Sequence, residues 1–183
     1  MDKVTEDKRA VGKTINFGVI YGQSSFGLAQ MLGVPQSEAR DFIEGFYREF
    51  ASVRDYKEGV LKKARTLGFV TTYLGRRRYI PEIVSANHQL RQNGERMAFN
   101  TIFQGSAADL IKKAMIEIYQ FLLKENLKTK MILQVHDELL FEVPRSELSS
   151  IEENIPKIMA GAFKLKVPLR VSCHFGKNWA EAH

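Results

Sequence analysis

The stretch from Met131 to Val143 reads Met-Ile-Leu-Gln-Val-His-Asp-Glu-Leu-Leu-Phe-Glu-Val. Two apolar runs of β type flank the polar triplet His136-Asp137-Glu138. This pattern predicts a tight antiparallel hairpin with the triplet at its bend. Two adjacent carboxylates on such a rigid mount suit a hard divalent cation such as Mg²⁺. An acidic turn without a ligand is the more common use of such a tripeptide, so both interpretations stay open.

Helical spacing of apolar residues governs the segments on both sides of this hairpin. Helices are predicted over five segments: from Lys8 through Tyr21, after Pro35, from about Val53 to Thr66, from Asn87 to about Glu125, and from Ser146. A second, smaller hairpin is predicted over residues 69–81. The fold class is therefore α+β, helical in the first half, with an antiparallel sheet and flanking helices in the second.

Three local signals interrupt this helical pattern. Ser106 to Asp109 form an S-x-x-D capping box, which is expected to restart or re-aim the long helix. Pro156 falls inside the last helix and is expected to kink or split it, since it lacks the backbone donor. The residues from Val167 to Phe175 are expected to form a final strand.

The 183-residue chain carries a formal net charge of +6 and a single cysteine, Cys173. One thiol cannot build an internal disulfide or a cysteine-based zinc site, which favours a reducing compartment. No apolar run reaches the ~18 residues that span a bilayer and no signal peptide is visible, so we expect a soluble protein without a membrane partner. Residues 57–78 are mainly basic and residues 137–153 mainly acidic. Such a pair suits a site that holds phosphates and a metal, although unrelated solvated faces would show the same charges.

Four residues of the first predicted helix form what we call the nucleotide stripe: Arg9, Lys13, Phe17 and Tyr21. They stand four apart and therefore lie along one face of the helix, two cations followed by two aromatic rings. Cations can grip phosphates while rings take a sugar and a base. The alternative is a helix whose aromatic patch packs in the core.

The long helix carries Arg96, Asn100 and Gln104, again at intervals of four residues. Such side chains can donate hydrogen bonds to the minor groove, whose acceptors are similar for every base pair. A solvated helix face is the alternative.

These motifs, taken in order, resemble those of the family A DNA polymerases. Residues 9–22 are similar to R-x3-K-x3-F-x3-Y-G on the nucleotide-binding helix of the family's fingers. Residues 134–138, Gln-Val-His-Asp-Glu, resemble its palm hairpin. Residues 96–109 resemble the helix that touches the primer–template, and residues 74–81 resemble the fingers hairpin. The likeness covers essentially the whole chain and implies template-directed DNA synthesis.

The resemblance also implies roles for the nucleotide stripe. Arg9 and Lys13 would bind the triphosphate of the incoming deoxynucleotide, and Lys13 would donate a proton to the leaving pyrophosphate. Phe17 would lie at the sugar, and Tyr21 would lie near the nascent base pair and the template.

The other implied roles belong to the hairpin and the long helix. Asp137 would hold Mg²⁺, Glu138 would assist, and His136 would contact the primer end. Minor-groove contacts with the growing duplex would come from three residues: Arg96, Asn100 and Gln104. In-line attack of the primer 3′-oxygen would be helped by two metals.

By this resemblance, residues 1–87 are a fingers segment and residues 88–183 the C-terminal part of the palm, which together make a partial right-hand polymerase fold. The family's other metal-binding Asp lies upstream of the nucleotide-binding helix, and only eight residues precede Arg9. We therefore expect one side of the two-metal site in this chain and an upstream polymerase fragment as partner. Without that fragment, little or no primer extension is expected.

Two rival functions stay open. The first is a non-catalytic module that binds DNA or nucleotides and retains the polymerase scaffold. The second is a single-subunit RNA polymerase, although Phe17 and the Gln-Val-His-Asp-Glu hairpin favour DNA synthesis. For the polymerase itself, the expected partners are a DNA primer–template and deoxynucleoside triphosphates. The expected location is the bacterial cytoplasm, at the nucleoid.

Overall fold

The computed structural model describes residues 5–182. Its elements follow in this order: α1 (Glu6–Ile20), α2 (Ser25–Leu32), α3 (Gln36–Glu49), α4 (Ala51–Leu67), β1 (Phe69–Thr71), β2 (Arg77–Tyr79), a 3₁₀ helix (Pro81–Val84), α5 (His88–Lys124), β3 (Lys130–Val135), β4 (Glu138–Glu142), a 3₁₀ helix (Arg145–Glu147), α6 (Leu148–Gly161) and α7 (Trp179–Ala182). The predicted α+β class is confirmed. No helix among the described residues is both long and apolar enough to span a membrane.

The chain divides into two compact units, one up to Ser106 and one from Ala107 onward. The division falls inside α5, so this helix contributes residues to both units. The predicted boundary after residue 87 coincides instead with the start of α5. The assignment of a fingers segment and a palm segment at that boundary stays a prediction.

The first unit holds two apolar clusters. Leu28, Ala29 and Ala39 join α2 to α3, where Phe42 and Ile43 complete the cluster. β1 and β2 pair antiparallel and form the first hairpin. A second cluster joins α4, this hairpin, the first 3₁₀ helix and α5. It consists of Leu61, Ala64, Val70, Ile80, Ile83 and Ala98. Leu61 and Ala64 are three residues apart and therefore share one face of α4, and on α5 the partly buried Met97 and Ile102 pack against the cluster beside Ala98.

The second unit is built on the hairpin of β3 and β4. Its strands pair antiparallel with Val135 opposite Glu138, and the register shifts between Met131 and Leu133. One face of the hairpin packs on a cluster contributed by α5 and α6, in which Ile118, Leu122, Ile151 and Ile155 are buried. The strands that carry the hairpin bend are thus packed against a buried apolar cluster.

The predicted bend of this hairpin is corrected in one respect. Glu138 belongs to β4, and only His136 and Asp137 form the turn. The backbone explains this, because His136 adopts a φ of 51°, which is what a two-residue hairpin turn requires.

The predicted restart of the helix at Ser106 is also wrong, because α5 runs through this position without a break. The Ser106 hydroxyl donates to the carbonyl of Ile102 one turn earlier and accepts from the backbone N–H of Tyr73 at 2.8 Å. A hydroxyl engaged in this way does not cap a new helix, and it leaves the helical ladder intact.

Two expectations near the C-terminus are corrected as well. Pro156 lies inside α6 without splitting it. The carbonyl deprived of its donor is that of Glu152, an exposed residue, where water can satisfy it. The expected strand from Val167 to Phe175 is absent, because no described strand pairs with this segment and a strand requires hydrogen bonds to a neighbour.

Candidate nucleotide and nucleic-acid site

The nucleotide stripe lies on the solvent side of α1. Thr5 starts the helix as its N-cap, since its Oγ1 accepts from the backbone N–H of Lys8 at 3.3 Å. Arg9 and Lys13 are exposed. Phe17 is 55% exposed, which contradicts the alternative that the aromatic part of the stripe packs in the core. Arg9, Lys13 and Phe17 are therefore accessible to a ligand, whereas Tyr21 is half-buried.

The two rings of the stripe are held parallel to one another. The centroids of Phe17 and Tyr21 lie 6.0 Å apart with 15° between the ring planes. The backbone N–H of Tyr21 donates to the carbonyl of Phe17 at 2.9 Å, which closes the last turn. This arrangement offers one exposed and one half-buried aromatic ring to a sugar or base.

The chain leaves α1 through Gly22, which has a φ of 74°. Only glycine adopts this left-handed conformation without a steric penalty. A Cβ at this position would also stand 3.1 Å from Cγ of Arg96. Gly22 therefore allows both the turn after the stripe and its close approach to α5.

Arg96 and Asn100, predicted separately as DNA contacts, lie against this end of α1. Nδ2 of Asn100 donates to the carbonyl of Tyr21 at 3.4 Å. Its Oδ1 is buried and has no hydrogen-bond partner among residues 5–182. Arg96 donates to Oδ1 of Asn93 on its own helix. In this structure Asn100 thus serves the protein interior, and its contact with a duplex stays a prediction.

Gln104 lines a groove of about 310 Å³ that sequence reasoning missed. The other residues lining it are Thr72, Arg76, Arg77, Arg78, Thr101 and Gly105. We call this feature the arginine groove. The sequence assigned the three consecutive arginines to a basic segment and to the stretch that resembles the fingers hairpin, but not to a site. Their convergence on Gln104 depends on the packing of the first hairpin against α5, which composition does not reveal.

The guanidinium groups of the arginine groove are partly fixed. Nη1 of Arg78 donates to Oγ1 of Thr101 at 3.0 Å, and Nη2 lies 3.5 Å from Sδ of Met97. Arg77 stacks over the ring of Phe69 at 4.8 Å from its centroid. Among residues 5–182, the lining of the groove includes no carboxylate. Guanidinium groups held in this way favour an anion such as a phosphodiester.

The hairpin of β3 and β4, which we call the acidic hairpin, presents His136 and Asp137 at its turn and Glu138 at the start of β4. All three side chains are exposed. Nε2 of Gln134 donates to the carbonyl of His136 at 2.6 Å and closes the turn from one side. The described residues contain no group of three or more His, Cys, Asp or Glu side chains placed to hold a metal. Asp137 and Glu138 still fit Mg²⁺, because this ion commonly takes only one or two protein carboxylates.

The whole chain matches a known family. The model of DNA polymerase family A covers residues 1–181. The chain therefore belongs to the family A DNA polymerases.

Within this family, the curated relatives that it resembles are DNA polymerase I proteins. The one from Bacillus caldotenax is 46% identical over 181 residues, which are 99% of this chain and 21% of the relative. The one from Mycobacterium tuberculosis (strain ATCC 25618 / H37Rv) is 44% identical over 184 residues, or 100% of this chain and 20% of the relative. The chain thus spans about a fifth of the length of the curated relatives it matches.

A solved structure agrees with this assignment. It is described as the POL domain of Pol1 from M. smegmatis in complex with DNA primer-template and dNTP. The two structures superpose with a TM-score of 0.94 at 44% sequence identity. The superposition covers 99% of this chain and 32% of the M. smegmatis chain. The predicted family and fold are thereby confirmed.

Proposed function

We propose that this chain is the fingers and C-terminal palm part of a DNA-directed DNA polymerase, which transfers deoxynucleotides to a primer 3′-end under the direction of a template. The observation that carries the proposal is the exposed nucleotide stripe, with cations at one end of α1 and parallel rings at the other. A deoxynucleoside triphosphate has the same polarity, with phosphates at one end and a base at the other. The M. smegmatis structure described as a complex with DNA primer-template and dNTP supports this choice of ligand.

The stripe would bind the nucleotide and orient it for reaction. Arg9 and Lys13 would hold the triphosphate through charge-assisted hydrogen bonds, and Lys13 would supply the proton that the leaving pyrophosphate takes up. Phe17 and Tyr21 would position the sugar and the base. Because these contacts fix the α-phosphate before the reaction, they would lower the entropic part of the barrier.

The acidic hairpin would provide one side of a two-metal site. Asp137 would hold Mg²⁺, Glu138 would assist and His136 would contact the primer end. When bound, the metal supplies positive charge that stabilises the attacking and leaving oxygens.

The DNA would be held by residues of the first unit. Arg96, Asn100 and Gln104 would meet the minor groove of the growing duplex, and the arginine groove beside Gln104 would hold a backbone phosphate. The role of Asn100 would require it to exchange its bond to Tyr21 for one to DNA. With a DNA substrate, the protein would act in the cytoplasm at the nucleoid, in replication or repair.

Nucleotide binding by this chain can be tested directly. Titration of a fluorescently labelled deoxynucleoside triphosphate with Mg²⁺ should give saturable binding, and Lys13→Met should weaken it about tenfold or more, because a hydrogen bond to a charged group is lost. Lys8→Met is the matched control, since Lys8 is exposed on the same helix outside the stripe. Equal weakening in both variants would contradict the proposed stripe.

Catalysis needs a second experiment, because the chain spans about a fifth of its relatives. Purified alone with primer–template and Mg²⁺, it is expected to extend the primer little or not at all. Co-expressed with an upstream polymerase fragment that carries the other Asp strand and the thumb, it is expected to show extension that Asp137→Ala abolishes. Templated extension by the chain alone, lost in Asp137→Ala, would refute the need for that fragment. A reconstituted complex that binds both ligands but never extends would favour the non-catalytic binding module.

A further inference from the structure

We propose that Lys57 is a positioning residue that holds the C-terminal end of α1. By holding this end, Lys57 also positions the Phe17–Tyr21 ring pair. Lys57 belongs to α4 and contacts α1 through a relay. The link to nucleotide binding rests on the function proposed above, whereas the relay itself depends only on the geometry of the first unit.

The relay consists of two hydrogen bonds. Nζ of Lys57 donates to the hydroxyl of Tyr47 at 3.2 Å. The hydroxyl of Tyr47 donates in turn to the carbonyl of Val19 at 3.5 Å. Because a phenol that accepts from an ammonium becomes a better donor, the first bond strengthens the second. Lys57 therefore acts on α1 through the hydroxyl of Tyr47.

The surroundings of the ammonium are unusual for a lysine. Nζ lies 5.8 Å from the ring centroid of Tyr47 and 5.6 Å from that of Phe99, and the residue is half-buried. Within residues 5–182, none of the contacts of this ammonium is with a carboxylate. Two aromatic faces and one hydroxyl hold the charge in place, where a salt bridge would otherwise be expected.

A cation at this position compensates for something that α1 lacks. The helix has no basic residue in its last turn, although a helix C-terminus carries a partial negative charge. The ammonium lies 3.8 Å from the position that a Cβ of Gly22 would occupy, directly after that end. Lys57 thus provides from α4 the positive charge that would ordinarily come from α1 itself.

The carbonyl of Val19 is where this charge affects the ring pair. Val19 is buried, with 2% of its surface exposed, and lies between Phe17 and Tyr21 in the chain. Its carbonyl accepts both from Tyr47 and from the backbone N–H of Gly22, at 3.1 Å. The turn that carries Tyr21 is therefore anchored at this oxygen, and weakening the relay should loosen Tyr21 relative to Phe17.

Amide hydrogen exchange in the full chain, measured by NMR, tests the relay. Lys57→Met keeps a similar volume and Tyr47→Phe keeps the ring, and each should speed exchange at Tyr21, Gly22 and Gln23 about fivefold. The double variant should speed exchange no further than either single variant, because both break the same relay. Lys57→Arg retains a charged donor and should restore slow exchange.

Lys62→Met is the matched control, since Lys62 is exposed on the same helix. Unchanged exchange in Lys57→Met and Tyr47→Phe, or equal acceleration in Lys62→Met, would overturn the proposal. If Lys57→Met does not fold, Tyr47→Phe carries the same test, since it removes only a hydroxyl.

Binding of the labelled deoxynucleoside triphosphate separates the two parts of the proposal. A fivefold loss of affinity in Lys57→Met together with faster exchange supports both parts. Faster exchange with wild-type affinity overturns the role in nucleotide positioning. Faster exchange in a protein whose wild type binds no nucleotide refutes the proposed function and supports the relay alone.

Discussion

A single carboxylate holds the start of the strand that leads to the acidic hairpin turn. Oε1 of Glu147 accepts from the backbone N–H of Lys128 at 2.9 Å. Its Oε2 accepts from the backbone N–H and the hydroxyl of Thr129, at 2.9 and 2.7 Å. The hydrogen bond from the Lys128 backbone, followed by that from the Thr129 hydroxyl, lowers the pKa of Glu147 below its usual range. The ionised carboxylate is therefore the form that the folded state prefers.

This preference predicts a pH-dependent stability. Because the pKa of Glu147 is lowered by folding, its contribution is fully present above the unfolded pKa of about 4.3 and is lost as the pH falls through the folded value. The melting temperature of the wild type should fall more steeply below about pH 5 than that of Glu147→Gln, which has no titrating group there. The control is Glu152→Gln, an exposed position on α6. Parallel melting curves for wild type and Glu147→Gln across this range would contradict the prediction.

At the scale of elements, α5 depends on one close backbone approach. Gly94 is buried where α5 crosses the 3₁₀ helix Pro81–Val84. A Cβ at this position would stand 2.7 Å from the backbone N of Ile83 and 2.9 Å from the carbonyl carbon of Glu82. These atoms belong to the backbone of the 3₁₀ helix and cannot move aside as a flexible side chain can. A larger residue at Gly94 would therefore push α5 and the 3₁₀ helix apart. The same stretch of α5 carries Arg96 and Asn100, which makes this contact important for the site.

Replacing Gly94 tests this approach against a helical glycine with free space. Gly94→Ala should destabilise the fold by about 1–3 kcal/mol, because overpacking outweighs the gain in helix propensity. Gly59→Ala in α4 should stabilise it by about 0.5–1 kcal/mol, since nothing lies within 4 Å of the added Cβ. Urea unfolding measures both changes. Stabilisation by both substitutions would show that the 3₁₀ helix yields easily.

At the scale of the whole molecule, the second unit leaves an apolar helix face exposed. Ile116, Tyr119 and Leu123 lie along one face of α5 and are 58%, 60% and 62% exposed. Large apolar residues grouped in this way favour association between molecules. The DNA polymerase I from Bacillus caldotenax is nearly five times as long as this chain and therefore contains sequence that this chain does not.

This face predicts self-association of the isolated chain. In size-exclusion chromatography with light scattering, the wild type should show an apparent mass that rises with concentration, and the double variant Tyr119→Lys/Leu123→Lys should reduce this rise. Leu67→Lys is the control, because Leu67 is also exposed, at 56%, but lies in the first unit. An equal effect of Leu67→Lys would assign the association to general hydrophobicity.

The sequence by itself determined the local elements and the order of their chemical groups. Residues four apart share a helix face whatever the surroundings, so the nucleotide stripe followed from Arg9, Lys13, Phe17 and Tyr21 alone. Two apolar runs of β type around a polar bend likewise predicted the hairpin that carries Asp137. These features depend on backbone geometry within a few residues, and they also carried the resemblance to the family.

Only the tertiary structure decided how these groups are used. It exposed Phe17, engaged Asn100 with Tyr21 and placed Lys57 behind α1 through Tyr47. It also left residues 167–175 without the strand that their β propensity predicts. The physical reason is that burial, hydrogen-bond partners and strand pairing depend on residues distant in the chain, whereas a sequence pattern reports only on neighbours a few positions away.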